Sequence, residues 1–257
     1  AERLHREALA IRRRALAADD DRIATSINDV AVAVGEQGRL AAAESLHREA
    51  LQLLRTAHPV PNVNVAATLN ALATVLDFQG KVAPAESTYR ETLALRKQLL
   101  GPEHPDYTFT LFNYAMLVFD QKRYREAADI SRQILALRGK TLAESNSSVA
   151  AALQVLGRCL DQLGDPKGGE RALRESLELR RKYVGPETWL VAGSGGELGA
   201  HYALLKDYPR AEQTLLRAQE LFGRTVGEAN ARTQVNTRRL VALYTVWGKP
   251  AKAAEYQ

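Results

Sequence analysis

The sequence repeats itself with a period of 42 residues, and this repetition constrains the fold more than any other feature. Glycine marks the period at Gly38, Gly80, Gly164 and Gly248, and the two positions that the spacing skips hold Lys122 and Lys206. Five residues after each of these six positions stands a small residue, in order Ala43, Ala85, Ala127, Gly169, Ala211 and Ala253. Self-similarity in one register predicts an array of stacked units, each of which contacts its neighbours.

Each unit is predicted to contain two helices. In the first half, apolar residues recur at positions i, i+3, i+4 and i+7, as in Leu69, Leu72, Ala73 and Leu76. This spacing is typical of one helix face and not of a strand. All nine prolines fall in the predicted first turn of a second helix or in a connection between units, where a missing amide hydrogen costs nothing. The sequence therefore predicts an all-α fold of antiparallel helix pairs.

We predict a single array over residues 1–257. It begins with a lone second helix at about 1–17, and helix pairs follow at about 21–57, 62–100, 104–139, 146–184 and 187–224. A partial repeat at about 229–257 ends the array. Both ends cut through a repeat and neither carries a polar cap, so we expect the chain to be part of a longer polypeptide.

The composition offers little material for catalysis. The one cysteine, Cys159, excludes an internal disulfide framework and a cysteine-based zinc cluster, and the five histidines form no recognisable Ser/His/Asp pattern. No stretch approaches the roughly 18 uninterrupted apolar residues that a membrane span needs. We expect a cytoplasmic, non-enzymatic protein without catalytic residues, metal or cofactor, and its alanine- and arginine-rich composition is compatible with a bacterial source.

Two further motifs are interpreted as structural. The glycine-rich run at 193–199 has the wrong spacing for a dinucleotide fingerprint, and no strand precedes it. Its interior glycines, Gly195 and Gly196, weaken a helix by roughly 1 kcal/mol each and predict a flexible fifth unit. The basic clusters at 12–14 and 180–182 lie near predicted helix ends, where cations complement the helix dipole, and nearby acidic residues argue against nucleic-acid binding.

The columns resemble the tetratricopeptide repeat, in which a large apolar residue, a small residue and a second large residue precede small residues of the second helix. Ala43 with Ala50, and Ala211 with Ala218, match the second-helix pair. The 42-residue unit and the connection at 100–106 resemble the kinesin-light-chain type of repeat. The resemblance implies a right-handed superhelical solenoid whose first helices line a concave groove that holds peptides.

The resemblance also implies which residues line the groove. In the family, asparagines of the first helices grip the backbone of an extended peptide, because an amide can both donate and accept hydrogen bonds. The matching positions hold Asn28 and Asn70 in the first two units, and Gln154 and Arg158 in the fourth. The alternative is that these residues are merely solvated polar side chains on a helix.

The third unit departs from this pattern with an apolar stripe. Phe109, Phe112, Met116 and Phe119 follow one another at spacings of three, four and three residues. If the stripe faces the groove, it provides an apolar anchor site, and burying each side chain is worth roughly 1.5–3 kcal/mol. The alternative is that it packs against neighbouring helices. Since Leu111, Tyr114, Ala115 and Val118 already fill the core positions of this helix, we favour the groove interpretation.

We therefore expect an interaction scaffold that binds a protein or peptide segment, with no nucleic-acid partner and no membrane contact. The alternative function is the regulatory or sensor arm of a multidomain enzyme, such as a bacterial Ser/Thr kinase, or of a transcription regulator. Self-association through the uncapped ends is a third hypothesis, which a concentration-dependent mass would support.

Overall fold

The computed structural model describes residues 1–57, 60, 62–137 and 147–257, and over these residues it is built from helices with no strand. The first helices of the repeats are α2 (Asp21–Gly35), α4 (Val63–Phe78), α6 (Pro105–Asp120), α8 (Ser147–Gln162), α10 (Trp189–Leu204) and α12 (Ala231–Val246). The second helices are α1 (Glu2–Ala15), α3 (Leu40–Ala57), α5 (Val82–Leu100), α7 (Tyr124–Ala136), α9 (Pro166–Val184), α11 (Tyr208–Val226) and α13 (Pro250–Ala254). None of these helices combines the length and the apolar composition that a membrane crossing requires.

The chain divides into two compact units, which we call unit 1 (Ala1–Leu117) and unit 2 (Val118–Gln257). Within each unit, helices pack against their neighbours in the chain, and first helices also contact the next first helix, as α2 contacts α4 and α10 contacts α12. The prediction of an all-α fold of stacked helix pairs is confirmed. The single array over residues 1–257 stays a prediction.

Small residues sit where the two helices of a pair cross. Ala31, Ala43, Ala73 and Ala85 are all fully buried. The approach is closer where glycine takes this place, because a Cβ added to Gly199 would lie 2.7 Å from Leu215 Cγ. Because small residues at the crossing point let the two helix axes approach closely, the large apolar side chains on either side can fill the space between the helices.

The turn between the two helices of a repeat requires a left-handed residue. Gly38 has a φ of 78° and Gly80 a φ of 72°. Lys122 and Lys206 occupy the same position and adopt the same conformation, with φ of 59° and 62°. For a residue with a Cβ, the left-handed conformation costs roughly 1–2 kcal/mol of conformational free energy. The two lysines show that the repeat imposes this backbone conformation even without glycine.

An arginine recurs every 84 residues at the end of second helices and clamps the next repeat. Arg12, Arg96 and Arg180 each donate from Nη1 to the backbone carbonyl ten residues ahead, at Arg22, Asp106 and Leu190. Burial lowers the pKa of Arg180 to about 10. Its partner is a backbone carbonyl without a formal charge, so this hydrogen bond does not offset the effect of burial. The two basic clusters noted in the sequence thus each contribute one arginine to the connection between repeats.

Candidate functional site

Three first helices of unit 1 enclose a cavity of about 290 Å³. The residues from α2, α4 and α6 that line it are Ala31, Val32, Gly35, Asn70, Ala71, Thr74, Val75, Phe78, Phe109 and Asn113. Glu36, Leu40 and His47 complete the lining. Ligand pockets typically begin at about 300 Å³, so this cavity has the size for one or two side chains of a larger partner.

Large apolar side chains at this cavity remain exposed to solvent. Phe78 is 71% exposed, Phe109 is 50% exposed and Val32 is 45% exposed. Single exposed apolar residues are normal on a protein surface, but three around one concave site mark a candidate binding surface. Covering them would release ordered water and is the main favourable contribution available at this site.

Asn70 of α4 is held by a hydrogen-bond chain that crosses to α6. Its Oδ1 accepts from Thr110 Oγ1 at 3.0 Å, and Thr110 Oγ1 accepts in turn from Arg96 Nη1 at 2.7 Å. All three residues are buried. One lone pair of the amide oxygen is therefore used in a hydrogen bond within the protein, and this bond fixes the orientation of the Asn70 side chain at the cavity wall.

Asn28 of α2 is oriented in a similar way by His47 of α3. Asn28 Oδ1 lies 2.6 Å from His47 Nδ1. Because the amide oxygen can only accept, the imidazole carries its proton on Nδ1, and Nε2 is an acceptor in the neutral ring. Burial lowers the pKa of His47 to about 4, so the ring at the cavity wall is neutral at pH 7.

The apolar stripe of α6 lies partly exposed beside the core positions of the same helix. Leu111, Tyr114 and Val118 are buried. Phe109 is exposed, and Phe112, Met116 and Phe119 are half-buried. The stripe is thus additional to the core, as the sequence indicated, and a groove role for it stays a prediction.

The remaining predicted residues lie in unit 2, where Arg158 connects two kinds of contact. Its guanidinium lies 4.1 Å from the ring centroid of Phe119, and the same ring lies 5.2 Å from that of Tyr124. Arg158 Nε lies 3.7 Å from Glu197 Oε2, and Arg239 Nη2 donates to Glu197 Oε1 at 2.5 Å. The cation–π contact and the two ion pairs thus connect side chains of successive first helices in unit 2.

The structure therefore brings some of the predicted residues together. Asn70 and Phe109 line the same cavity, and Asn28 adjoins it through His47. Gln154 is half-buried on α8 of unit 2. Sequence reasoning missed Phe78 and Asn113, which line the cavity. Asn113 stands four residues after Phe109, and Phe78 stands eight residues, or two steps of four, after Asn70. That helical spacing was the signal that could have found them.

The described part of the chain shows no group of three His, Cys, Asp or Glu side chains suited to a metal ion. In unit 2, His201 and Asp161 form a buried titratable pair, with Nδ1 and Oδ1 2.8 Å apart. Burial raises the pKa of Asp161. Burial also raises the pKa of the Cys159 thiol to about 11, so the unreactive thiol form dominates at pH 7.

Two family models, both described as tetratricopeptide repeat, match the chain. One matches residues 64–140 and 110–182, and the other matches residues 23–60. Together they span more than half of the chain. No curated protein sequence matches it significantly.

Several solved structures are similar to the chain. BtubC (BKLC) from P. vanneervenii is 25% identical with a TM-score of 0.67, over 85% of this chain and 87% of that one. The nearly identical TPR-like repeats of a kinesin light chain candidate from Podosopora anserina are 21% identical with a TM-score of 0.64, over 79% of this chain and 96% of that one. A Rap protein complexed with competence and sporulation factor is 12% identical with a TM-score of 0.63, over 92% of this chain and 78% of that one. The last two similarities show the fold alone.

Proposed function

The chain belongs to the tetratricopeptide repeat family, in its kinesin-light-chain-like type, and from that premise we propose that it is a non-catalytic module that binds a peptide or protein segment. The fold supports an interaction role, since within each unit it places successive first helices against one another, as α2 against α4 and α10 against α12. One structural neighbour, a Rap protein, is complexed with a factor, which supports such a role for this architecture.

The observation that carries the proposal is the cavity of unit 1. It combines exposed apolar side chains, Phe78, Phe109 and Val32, with the amides of Asn70 and Asn113. Binding sites of this kind take an apolar side chain into the cavity and fix the ligand's orientation by a few polar groups. The amides would bind the peptide backbone while the aromatic rings cover one of its side chains.

The stripe on α6 extends the proposed binding surface along that helix. Phe109 lines the cavity itself, and Phe112 and Met116 follow it at helical spacing with half of their surface covered. Covering each remaining apolar surface contributes up to roughly 1.5–3 kcal/mol, so two or three such side chains could dominate the affinity. In unit 2, we propose further ligand contacts, independent of the cavity of unit 1, by Gln154, Arg158 and Phe119.

A peptide selection tests the proposal. The full chain is immobilised and used to select from a displayed library of random peptides, and the enriched peptides are synthesised and titrated against the chain. We expect Phe109→Ser to weaken binding by at least about tenfold, the equivalent of about 1.4 kcal/mol, because it removes the exposed ring from the cavity wall.

The control is Ile11→Ser, which changes an apolar side chain that is 66% exposed on α1, outside the cavity. It should leave the affinity unchanged, and both variants should unfold within a few degrees of the parent chain. Failure to enrich any peptide, or equal binding by Phe109→Ser, would contradict the proposed function.

A further inference from the structure

The cavity of unit 1 has a negatively charged rim. Asp29 and Val32 on α2 and Glu36, the C-cap residue of that helix, follow one another at spacings of three and four residues, which places them on one face. Val32 and Glu36 line the cavity, so Asp29 lies one turn away along the same edge. Both carboxylates are exposed, and across the described ranges neither has an ion-pair partner.

Helix ends add to this negative potential. The cavity is lined by the C-terminal halves of α2 and α4, and the C-terminus of a helix carries about half a negative charge. Basic residues commonly compensate this charge, but the last turns of α2 and α4 contain none. The negative ends of these two helices therefore reinforce the carboxylates of Asp29 and Glu36.

The three first helices at the cavity contribute almost no positive charge. α4 and α6 contain no lysine or arginine, and the one arginine of α2, Arg22, pairs with Asp20 at 2.7 Å. The same three helices contain five aspartates. The first helices of unit 2 differ, because Glu197 is paired there with Arg158 and Arg239.

We propose that the cavity of unit 1 selects peptides in which an apolar side chain stands next to lysine or arginine. The apolar side chain would occupy the cavity between Val32 and Phe109, and the cation would lie at Asp29 and Glu36. An acidic peptide would meet two carboxylates and two negative helix ends, so the same arrangement rejects it. This inference rests on the proposed function, since it names the class of peptide that the site binds.

The test compares the charge of selected peptides. Random peptides selected on the full chain should carry an excess of lysine and arginine over aspartate and glutamate beside an apolar residue. The double variant Asp29→Asn, Glu36→Gln should abolish that excess and weaken binding of the synthesised winners by about three- to tenfold at low salt, as expected for exposed charge pairs. Affinity of the parent chain should fall between about 0.01 M and about 1 M salt, where the Debye length falls from about 30 Å to about 3 Å.

A matched control changes the net charge of the chain by the same amount at two positions away from the cavity. Asp19→Asn with Glu103→Gln neutralises two exposed carboxylates in connections of unit 1, and it should keep both the charge preference and the affinity. Peptides enriched without a basic excess, or unchanged binding by the Asp29 and Glu36 variant, would overturn this inference while leaving the proposed function intact. If no peptide were enriched at all, both would be wrong.

Discussion

Arg96 and Thr110 form a buried hydrogen bond of 2.7 Å that links the end of one repeat to the first helix of the next. Arg96 is 5% exposed and Thr110 is fully buried. The hydroxyl also contacts Asn70 Oδ1 at 3.0 Å, so the clamp between repeats and the wall of the cavity share one atom. Stability and the geometry of the candidate site are thereby coupled through Thr110.

Thr110→Val should destabilise the chain by about 1.5–3 kcal/mol. The change keeps the shape of the side chain but removes an acceptor from a buried guanidinium, and hydrogen bonds to charged groups are worth about this much. Denaturant unfolding measures the difference. Thr56→Val is the control, because Thr56 is exposed and its hydroxyl donates to the Gln52 carbonyl of its own helix, at 2.9 Å. Equal stability of the two variants would show that the Arg96 contact contributes nothing.

Two glycines of α10 should respond to alanine in opposite directions. A Cβ at Gly199 would meet Leu215 Cγ at 2.7 Å and its backbone N at 3.3 Å, whereas a Cβ at Gly195 meets only Ala218 Cβ at an ordinary 3.8 Å. Overpacking costs about 1–3 kcal/mol, so we expect Gly199→Ala to be destabilising. Gly195→Ala should be stabilising by up to about 1 kcal/mol through helix propensity.

The two alanine variants are compared by thermal unfolding under identical conditions. Because both changes lie on one helix, each serves as the control for the other. A stabilised Gly199→Ala variant would mean that α10 and α11 can separate at no cost, and it would remove the close approach as the reason for glycine at this position.

His47 should make stability depend on pH. Its pKa is lowered by burial from 6.5 to about 4 in the folded chain. Above pH 6.5 the ring is neutral in both states, and between pH 6.5 and about 4 only the unfolded state binds the proton. Stability therefore falls as the pH falls through this range, by about 3 kcal/mol in total.

His47→Gln should remove this part of the pH dependence. The measurement is the free energy of unfolding at several pH values between about 4 and 7, compared with the parent chain. His5→Gln, one repeat earlier and half-buried on α1, is the matched control and should keep the slope. An unchanged slope in the His47 variant would show that this ring binds its proton equally well in the folded chain.

The sequence by itself determined the repeat, the helical class and the positions of the buried columns. These follow from the spacing of apolar and small residues along one chain, because a helix places residues three and four apart on the same face. The same logic indicated that Leu111, Tyr114 and Val118 belong to the core, and it left Phe109 outside it.

Only the tertiary structure decided which side chains meet across repeats. Asn70 and Thr110 stand 40 residues apart, and their hydrogen bond depends on how α4 and α6 are placed, which no local pattern encodes. The position of Asp29 and Glu36 beside an apolar cavity depends on the same placement. Likewise, the role of Arg96 as a clamp required the carbonyl and hydroxyl of the next repeat to lie within its reach, because a hydrogen bond is specified by distances of about 3 Å and not by sequence separation.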